Sequence, residues 1–191
     1  MVVGYHVHMK QRDVENIQRI LMNESPWGHG VMGDEFENDM LAHSLDIIKN
    51  YEHVGEFENT QVYYKEEMGD GNYFLWGDGE LAAFYKFDLF SDNISTKLTW
   101  NNKKYKGLLR KFLAEYVLPK YEVIESDYRM STHAFDMWQF MFIEYPKYEF
   151  YAKYPDGDMK QIKHYSSFIT YKEPSFHGKK GHTTFVAKYN A

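Results

Sequence analysis

The sequence predicts an α/β (α+β) fold, a mixed-sheet sandwich with helices packed on a central sheet. Three observations carry that expectation. Two amphipathic helical stretches lie near the N-terminus, short strands joined by tight turns fill residues 60–100, and a helix–strand–helix order follows before a closing hairpin. Tight turns and a helical crossover in one chain give a sheet that is partly antiparallel and partly parallel.

The elements follow in order. Val2 to Met9 alternates loosely and reads as a first strand. Arg12 to Met22 carries Val14, Ile17 and Leu21 at helical spacing, with Asp13 as cap. Asp34, with Glu37 three residues on, opens a second helix whose stripe is Phe36, Met40, Leu41, Leu45 and Ile48. Strands are expected at Gln61 to Glu67, Gly71 to Trp76, Glu80 to Phe90 and Ile94 to Trp100, separated by Met68-Gly69-Asp70, Gly77-Asp78-Gly79 and Ser91-Asp92-Asn93. Lys104 to Val117 is the clearest helix, with Leu108, Leu109, Phe112, Leu113, Tyr116 and Val117 on one face and Pro119 as its stop. A short strand at Glu122 to Glu125 precedes a helix capped by Ser131 that bears Ala134, Phe135, Trp138, Met141 and Phe142. Lys147 to Tyr154 and Gln161 to Tyr171, around Pro155-Asp156-Gly157, form a hairpin, and Thr183 to Tyr189 is a last possible strand.

Composition bounds the function. The 191 residues suit one core and are short for two, so residues 1–191 read as a single domain. No cysteine is present, which excludes a disulfide scaffold, a Cys-type zinc site and a thiol nucleophile. A net charge of −6 disfavours extended nucleic-acid binding. No apolar stretch is long enough to span a bilayer and Met1 to Lys10 is no signal peptide, so the expectation is a cytoplasmic protein with no membrane partner. His6 and His8 share a strand face in a way that suits a metal, but spacing ties no third ligand to them, and no metal site is expected.

The chemistry concentrates where strand Ile94–Trp100 passes through loop Asn101–Lys106 into a helix. A helix start offers unpaired N–H groups, and Lys103, Lys104 and Lys106 add charge, making an anion seat of diphosphate size. Gly107 lets a ligand approach the backbone. The plainer alternative is that Lys103 to Lys111 is the solvated start of an amphipathic helix. Three lysines there oppose the helix dipole, which favours an anion.

The order of elements from about Val2 to Tyr171, with Lys104-Tyr105-Lys106-Gly107-Leu108-Leu109, resembles the GNAT superfamily of acyl-CoA N-acyltransferases. The small acyltransferase-like proteins of tailed bacteriophages look most similar, particularly from Lys104 through Trp138. In that family's pyrophosphate loop Lys104 stands at the Gln or Arg position, Gly107 at the central glycine and Leu109 in place of a small residue. The resemblance implies acetyl-CoA or another acyl-CoA as cosubstrate, with its pyrophosphate at Lys103, Lys104, Lys106, Gly107, Leu108 and Leu109. It also implies a splayed strand pair, Ile94–Trp100 and Glu122–Glu125, with the pantetheine arm on the backbone of Lys97, Leu98, Thr99 and Trp100. The family's tyrosine acid falls at Trp138, which cannot donate a proton of that kind, so Tyr128 or His133 takes the catalytic acid role. A base comes from Asp88 or Glu125, each otherwise an ordinary surface carboxylate. The implied partner is an amine-bearing small molecule or protein. The second hypothesis is a GNAT-like scaffold without chemistry that binds a host or virion protein.

Overall fold

The structure is a computed structural model, and it describes residues 46, 48–89, 93–127, 130, 132–168 and 183–190. Nine strands form one sheet: β1 (Glu52–Phe57), β2 (Thr60–Glu67), β3 (Asp70–Gly77), β4 (Glu80–Leu89), β5 (Ile94–Asn101), β6 (Val123–Glu125), β7 (Glu149–Lys153), β8 (Met159–Gln161) and β9 (Thr184–Lys188). Their order across the sheet is β1-β2-β3-β4-β5-β6-β9-β7-β8. The strands from β1 to β5 form an antiparallel meander. β5 and β6 are parallel, joined by a helical crossover, and β9 lies antiparallel between β6 and β7. The mixed sheet expected from the sequence is present. The first strand and the first helix, with nearly all of the second, lie outside the described residues, as do Ser91 and Asp92.

The crossover is a 3-10 turn at Lys103–Tyr105 followed by three helical segments, Leu108–Phe112, Leu113–Val117 and Leu118–Tyr121, taken together as α1. Pro119 therefore does not stop the helix. The middle segment is a π turn, and this widening accommodates a ring that lacks an N–H and would crowd the carbonyl one turn back. Tyr148 Oη donates to the Ala114 carbonyl in that turn at 2.7 Å. Glu122, at φ 62°, ends the helix. A second helix, α2 (Thr132–Glu144), follows β6.

Both helices cover one face of the sheet. Phe112, Leu113 and Val117 of α1 and Phe135, Trp138 and Met141 of α2 share a core with Tyr73, Tyr85, Phe87 and Phe185. The opposite face has its own cluster, in which Ile48 meets Phe74, Leu81 and Phe84, flanked by Trp76, Leu98 and Trp100. Arg110 Nη2 donates to Glu144 Oε1 at 2.8 Å and its Nε lies 2.8 Å from Oε2, fastening α1 to α2.

Two further readings of the sequence are corrected. β1 was not expected; Glu52-His53-Val54-Gly55-Glu56-Phe57 has little β-forming character, and it becomes a strand by pairing with β2. The stretch from Gln161 to Tyr171 does not continue as a strand. Only Met159–Gln161 pairs with β7, after which the chain turns helical at 166–168. Phe168 then packs against Phe135, Phe142 and Phe185 in the α2 core.

Candidate functional site

The parallel pair at the centre of the sheet is short. β5 and β6 meet only as Ile94↔Ile124 and Ser95↔Glu125. β6 then follows β9, with Ser126 N–H donating to the Phe185 carbonyl at 2.7 Å. β5 runs on from Thr96 to Asn101 against β4 alone among the described strands. Among the described residues the pairing of the two strands thus ends at Ser95 and Glu125, well before the C-terminal end of β5.

A bulge marks the point of divergence. Lys86 faces Leu98 and Phe87 faces Thr96, so Lys97 is the extra residue in β5. Bulges bend the strand and sharpen its twist, and this one falls two residues after the last β5–β6 pair. The Lys97 ammonium is drawn to the β3–β4 side, donating to Asp70 Oδ1 at 2.7 Å and pairing with Asp88.

Pairing register assembles a row of polar residues there. Asp70 opposes Asp88, Asp88 opposes Ser95 and Ser95 opposes Glu125, and residues paired across strands share a face. That face is the one opposite α1 and α2. Burial works to raise the pKa of Asp70, but hydrogen bonds from Lys97, Asp88 and Lys86 outweigh it and hold the carboxyl below its ordinary value. For Asp88, burial raises the pKa and the adjoining Asp70 adds to it, against the pull of Lys97. The two neighbouring carboxyls thus have their pKa values pushed in opposite directions, with Lys86 on Asp70 and Lys97 on both. Glu125 accepts from Lys153 Nζ and Thr184 Oγ1, each at 2.7 Å. Neither Asp88 nor Glu125 is the solvated surface carboxylate of the plainer reading. Asp70, read from the sequence only as a turn residue, was missed; its place in the row is set by strand register, which leaves no local signal.

At the open end of the gap, the loop into α1 is held by asparagines. Asn102 Oδ1 accepts from Lys104 N–H at 3.0 Å. Asn101 Oδ1 accepts the Leu109 N–H at 3.0 Å, and its Nδ2 donates to the carbonyls of Asn102 and Tyr105 at 2.8 and 2.9 Å. Tyr105 Oη donates to the Gly77 carbonyl at 2.6 Å, pinning the loop to the β3–β4 turn. Gly107, at φ 81°, occupies the left-handed region that favours glycine.

This arrangement corrects the expected anion seat in two ways. The Leu109 side chain is 4% exposed and packed in the α1 core, so it does not crowd the loop, but its N–H is already taken by Asn101. Lys104 Nζ lies 2.8 Å from Glu80 and 3.2 Å from Asp78, and these carboxylates, Glu80 first, raise its pKa. Lys103 and Lys106 remain exposed beside the loop. Asparagines at a strand-to-helix junction are a cap signal that the sequence carried in plain sight.

The other candidates are dispersed. Leu98 and Trp100 pack toward Ile48 on the open face, while Thr99, opposite Tyr85, faces α1. His133 is exposed in the first turn of α2. Trp138 is 2% exposed and wedged against Phe150 and Phe185, a core residue. Tyr128, Ser131, His6 and His8 lie outside the described residues.

No family model matches this chain, and no curated protein does. Solved structures do. An acetyltransferase from Bacillus subtilis in complex with CoA is 15% identical over 84% of this chain and 95% of its own, at a TM-score of 0.37. A candidate acetyltransferase from the GNAT family of Bacteroides thetaiotaomicron is 12% identical over 96% of this chain and 85% of its own, at a TM-score of 0.40.

Proposed function

We propose that the chain is an acyl-CoA-dependent N-acyltransferase of GNAT type, acting with acetyl-CoA on an amine. The divergence of β5 from β6 after two paired residues carries the reading. An unpaired strand side offers a row of backbone donors and acceptors, and an extended amide-bearing arm is the ligand that such a row suits. The pyrophosphate would rest against the α1 end, on the amides of Gly107, Leu108 and Arg110 with Lys103 and Lys106 at hand. Lys104 contributes less, because Asp78 and Glu80 already engage it.

The reaction joins an amine nitrogen to the thioester carbonyl and releases a thiol. The amine must first lose a proton, and Asp88 is the acceptor the geometry favours: it is partly buried, its pKa is raised, and Lys97 ties it to the bulge at the apex of the gap. Asp70 holds the complementary charge. Tyr128 or His133 returns a proton to the thiolate. A reading as a non-catalytic scaffold has one observation in its favour: Phe140 and Ile143 are 48% and 53% exposed on the outer face of α2, as a protein-docking surface would be.

Calorimetry with acetyl-CoA tests the cosubstrate, and thiol release with mixed primary amines tests the chemistry. Asp88→Asn is expected to bind acetyl-CoA normally and release no thiol. Binding by the unchanged chain without turnover on any amine would favour the scaffold, and absence of binding would overturn the proposal.

A further inference from the structure

Two buried hydroxyls on adjacent strands hold one hydrogen more than they use. Tyr85 of β4 and Thr96 of β5 lie on the face covered by α1 and α2, Thr96 opposite Phe87, and their oxygens are 3.2 Å apart. Tyr85 is fully buried and Thr96 is 9% exposed. Each hydroxyl carries one hydrogen, and the bond between them uses one of the two. Among the described residues no other acceptor takes the second. Three other buried hydroxyls are spent: Thr60, Ser126 and Tyr148 donate to the carbonyls of Phe57, Asp127 and Ala114. A buried donor left over in this way calls for an acceptor from outside the chain.

The pair stands where the pairing of β5 with β6 stops. Ile94 meets Ile124 and Ser95 meets Glu125, and Thr96 is the next residue of β5. The next residue after β6 is Ser126, whose Oγ accepts the Phe185 N–H at 2.8 Å and donates to the Asp127 carbonyl at 3.1 Å. Of these two flanking hydroxyls, only that of Thr96 has capacity to spare. A phenol is the stronger donor of the pair and an aliphatic hydroxyl the stronger acceptor, so Tyr85 donates to Thr96. The unspent hydrogen is then the one on Thr96 Oγ1.

We propose that Thr96 is a catalytic residue whose hydroxyl donates a hydrogen bond to the carbonyl oxygen of the bound thioester, with Tyr85 as the positioning residue that keeps it a donor. This rests on the acyl-CoA reading above and adds a named group to it. As the amine nitrogen bonds to the carbonyl carbon, the π pair moves onto oxygen, and the Thr96 hydroxyl stabilises the charge that forms there. As the C–S bond breaks with its pair going to sulfur, the carbonyl re-forms. Thr96 keeps its proton throughout. The oxygen is the target because it gains charge in the reaction, whereas an uncharged sulfur is a weak acceptor.

The test is infrared difference spectroscopy of acetyl-CoA, isotope-labelled at the thioester carbonyl and bound to the full chain, which needs no amine. A hydrogen bond to the oxygen lowers the carbonyl stretch. The stretch is expected to move to higher frequency in Thr96→Val, to stay near the unchanged value in Thr96→Ser and to fall between the two in Tyr85→Phe. Thr96→Val combined with Tyr85→Phe leaves neither hydroxyl behind, so it guards against a folding defect from an unpartnered phenol, and it should match Thr96→Val. With an amine that supports turnover, Thr96→Val should lose on the order of 10²-fold in kcat while calorimetry gives unchanged affinity for acetyl-CoA. An unmoved stretch in either Thr96→Val variant, folded and binding acetyl-CoA, would overturn the proposal and leave the acyl-CoA reading standing. Absence of acetyl-CoA binding by the unchanged chain would overturn both.

Discussion

Asn101 is the residue on which the loop geometry most depends, and Asn101→Ala tests it. The side chain makes three hydrogen bonds, accepting from Leu109 N–H and donating to the carbonyls of Asn102 and Tyr105. At a net worth of about 1 kcal/mol each, complete loss would approach ~3 kcal/mol. Asn101 is half-exposed, so water replaces part of this for the two carbonyls. The loss at the helix start remains, and substitutions of that kind cost ~0.5–2 kcal/mol. The expected destabilisation is therefore about 2 kcal/mol, which for a chain of this size lowers Tm by about 5 °C. Denaturant unfolding with an unchanged slope would measure it.

The companion variant Asn101→Asp separates stability from binding. It keeps an acceptor for the Leu109 N–H and sets a negative charge at the positive end of α1, which favours the helix. The same charge repels a diphosphate. The second carboxylate oxygen, however, faces the Asn102 and Tyr105 carbonyls that Nδ2 held, so Asn101→Asp should still melt below the unchanged chain, and it should bind acetyl-CoA more weakly than Asn101→Ala. Tight binding by Asn101→Asp would refute the seat at this helix start, and an unchanged melting curve for Asn101→Ala would refute the cap.

Other outcomes follow from the sheet. A Cβ at Gly71 would lie 2.2 Å from Phe87 Cζ, and that ring is held by Tyr73, Tyr85 and Tyr121; Gly71→Ala should cost ~1–3 kcal/mol by overpacking, read from the same denaturant curves. Burial raises the pKa of Tyr85, Tyr73 and Tyr121 above the ordinary value of 10.0. Groups shifted upward contribute stability that is complete below the unfolded value and is lost as pH rises toward the folded one. Unfolding should therefore begin above about pH 10, with phenolate absorbance and loss of circular dichroism rising together; phenolate appearing well before unfolding would contradict the burial. Acetyl-CoA should slow amide exchange at residues 96–100 and in the first turn of α1 while leaving β7 and β8 unchanged, and uniform slowing across the sheet would place the ligand elsewhere.

How much of this was legible in the sequence depended on whether the signal was local. The strands from β2 to β5 announced themselves through turn residues such as Gly77-Asp78-Gly79 and through aromatic runs, and α1 and α2 through their apolar stripes. That the loop lysines and Gly107 lie together could be read because loop and helix adjoin in sequence. What failed was long-range. β1 exists through its partner, Pro119 was absorbed by a π turn whose Ala114 carbonyl meets Tyr148 from another element, and Phe168 left the strand pattern to fill the α2 core. The Asp70–Asp88–Ser95–Glu125 row needs the registers of four strands at once, and the pairing of Lys104 with Glu80 joins residues 24 apart.

These long-range features explain why the pairing of β5 with β6 stops after two residues among the described ones. Longer pairing with β6 would add several hydrogen bonds, so something must restrain the outer half of β5, which among the described strands pairs with β4 alone. Three restraints act on it from the other side. β4 pairs along its length, Lys97 is drawn toward Asp70 and Asp88 at the bulge, and Asn101 is engaged with the start of α1 while Tyr105 locks the same loop to Gly77. β6 is restrained in turn, since Ser126 and Glu125 are bonded to β9. Each wall of the gap is anchored to a different half of the sheet. Drawing β5 and β6 together over a longer stretch would break the bulge pairs on one strand or the β9 contacts on the other, so among the described residues the short pairing belongs to the folded state.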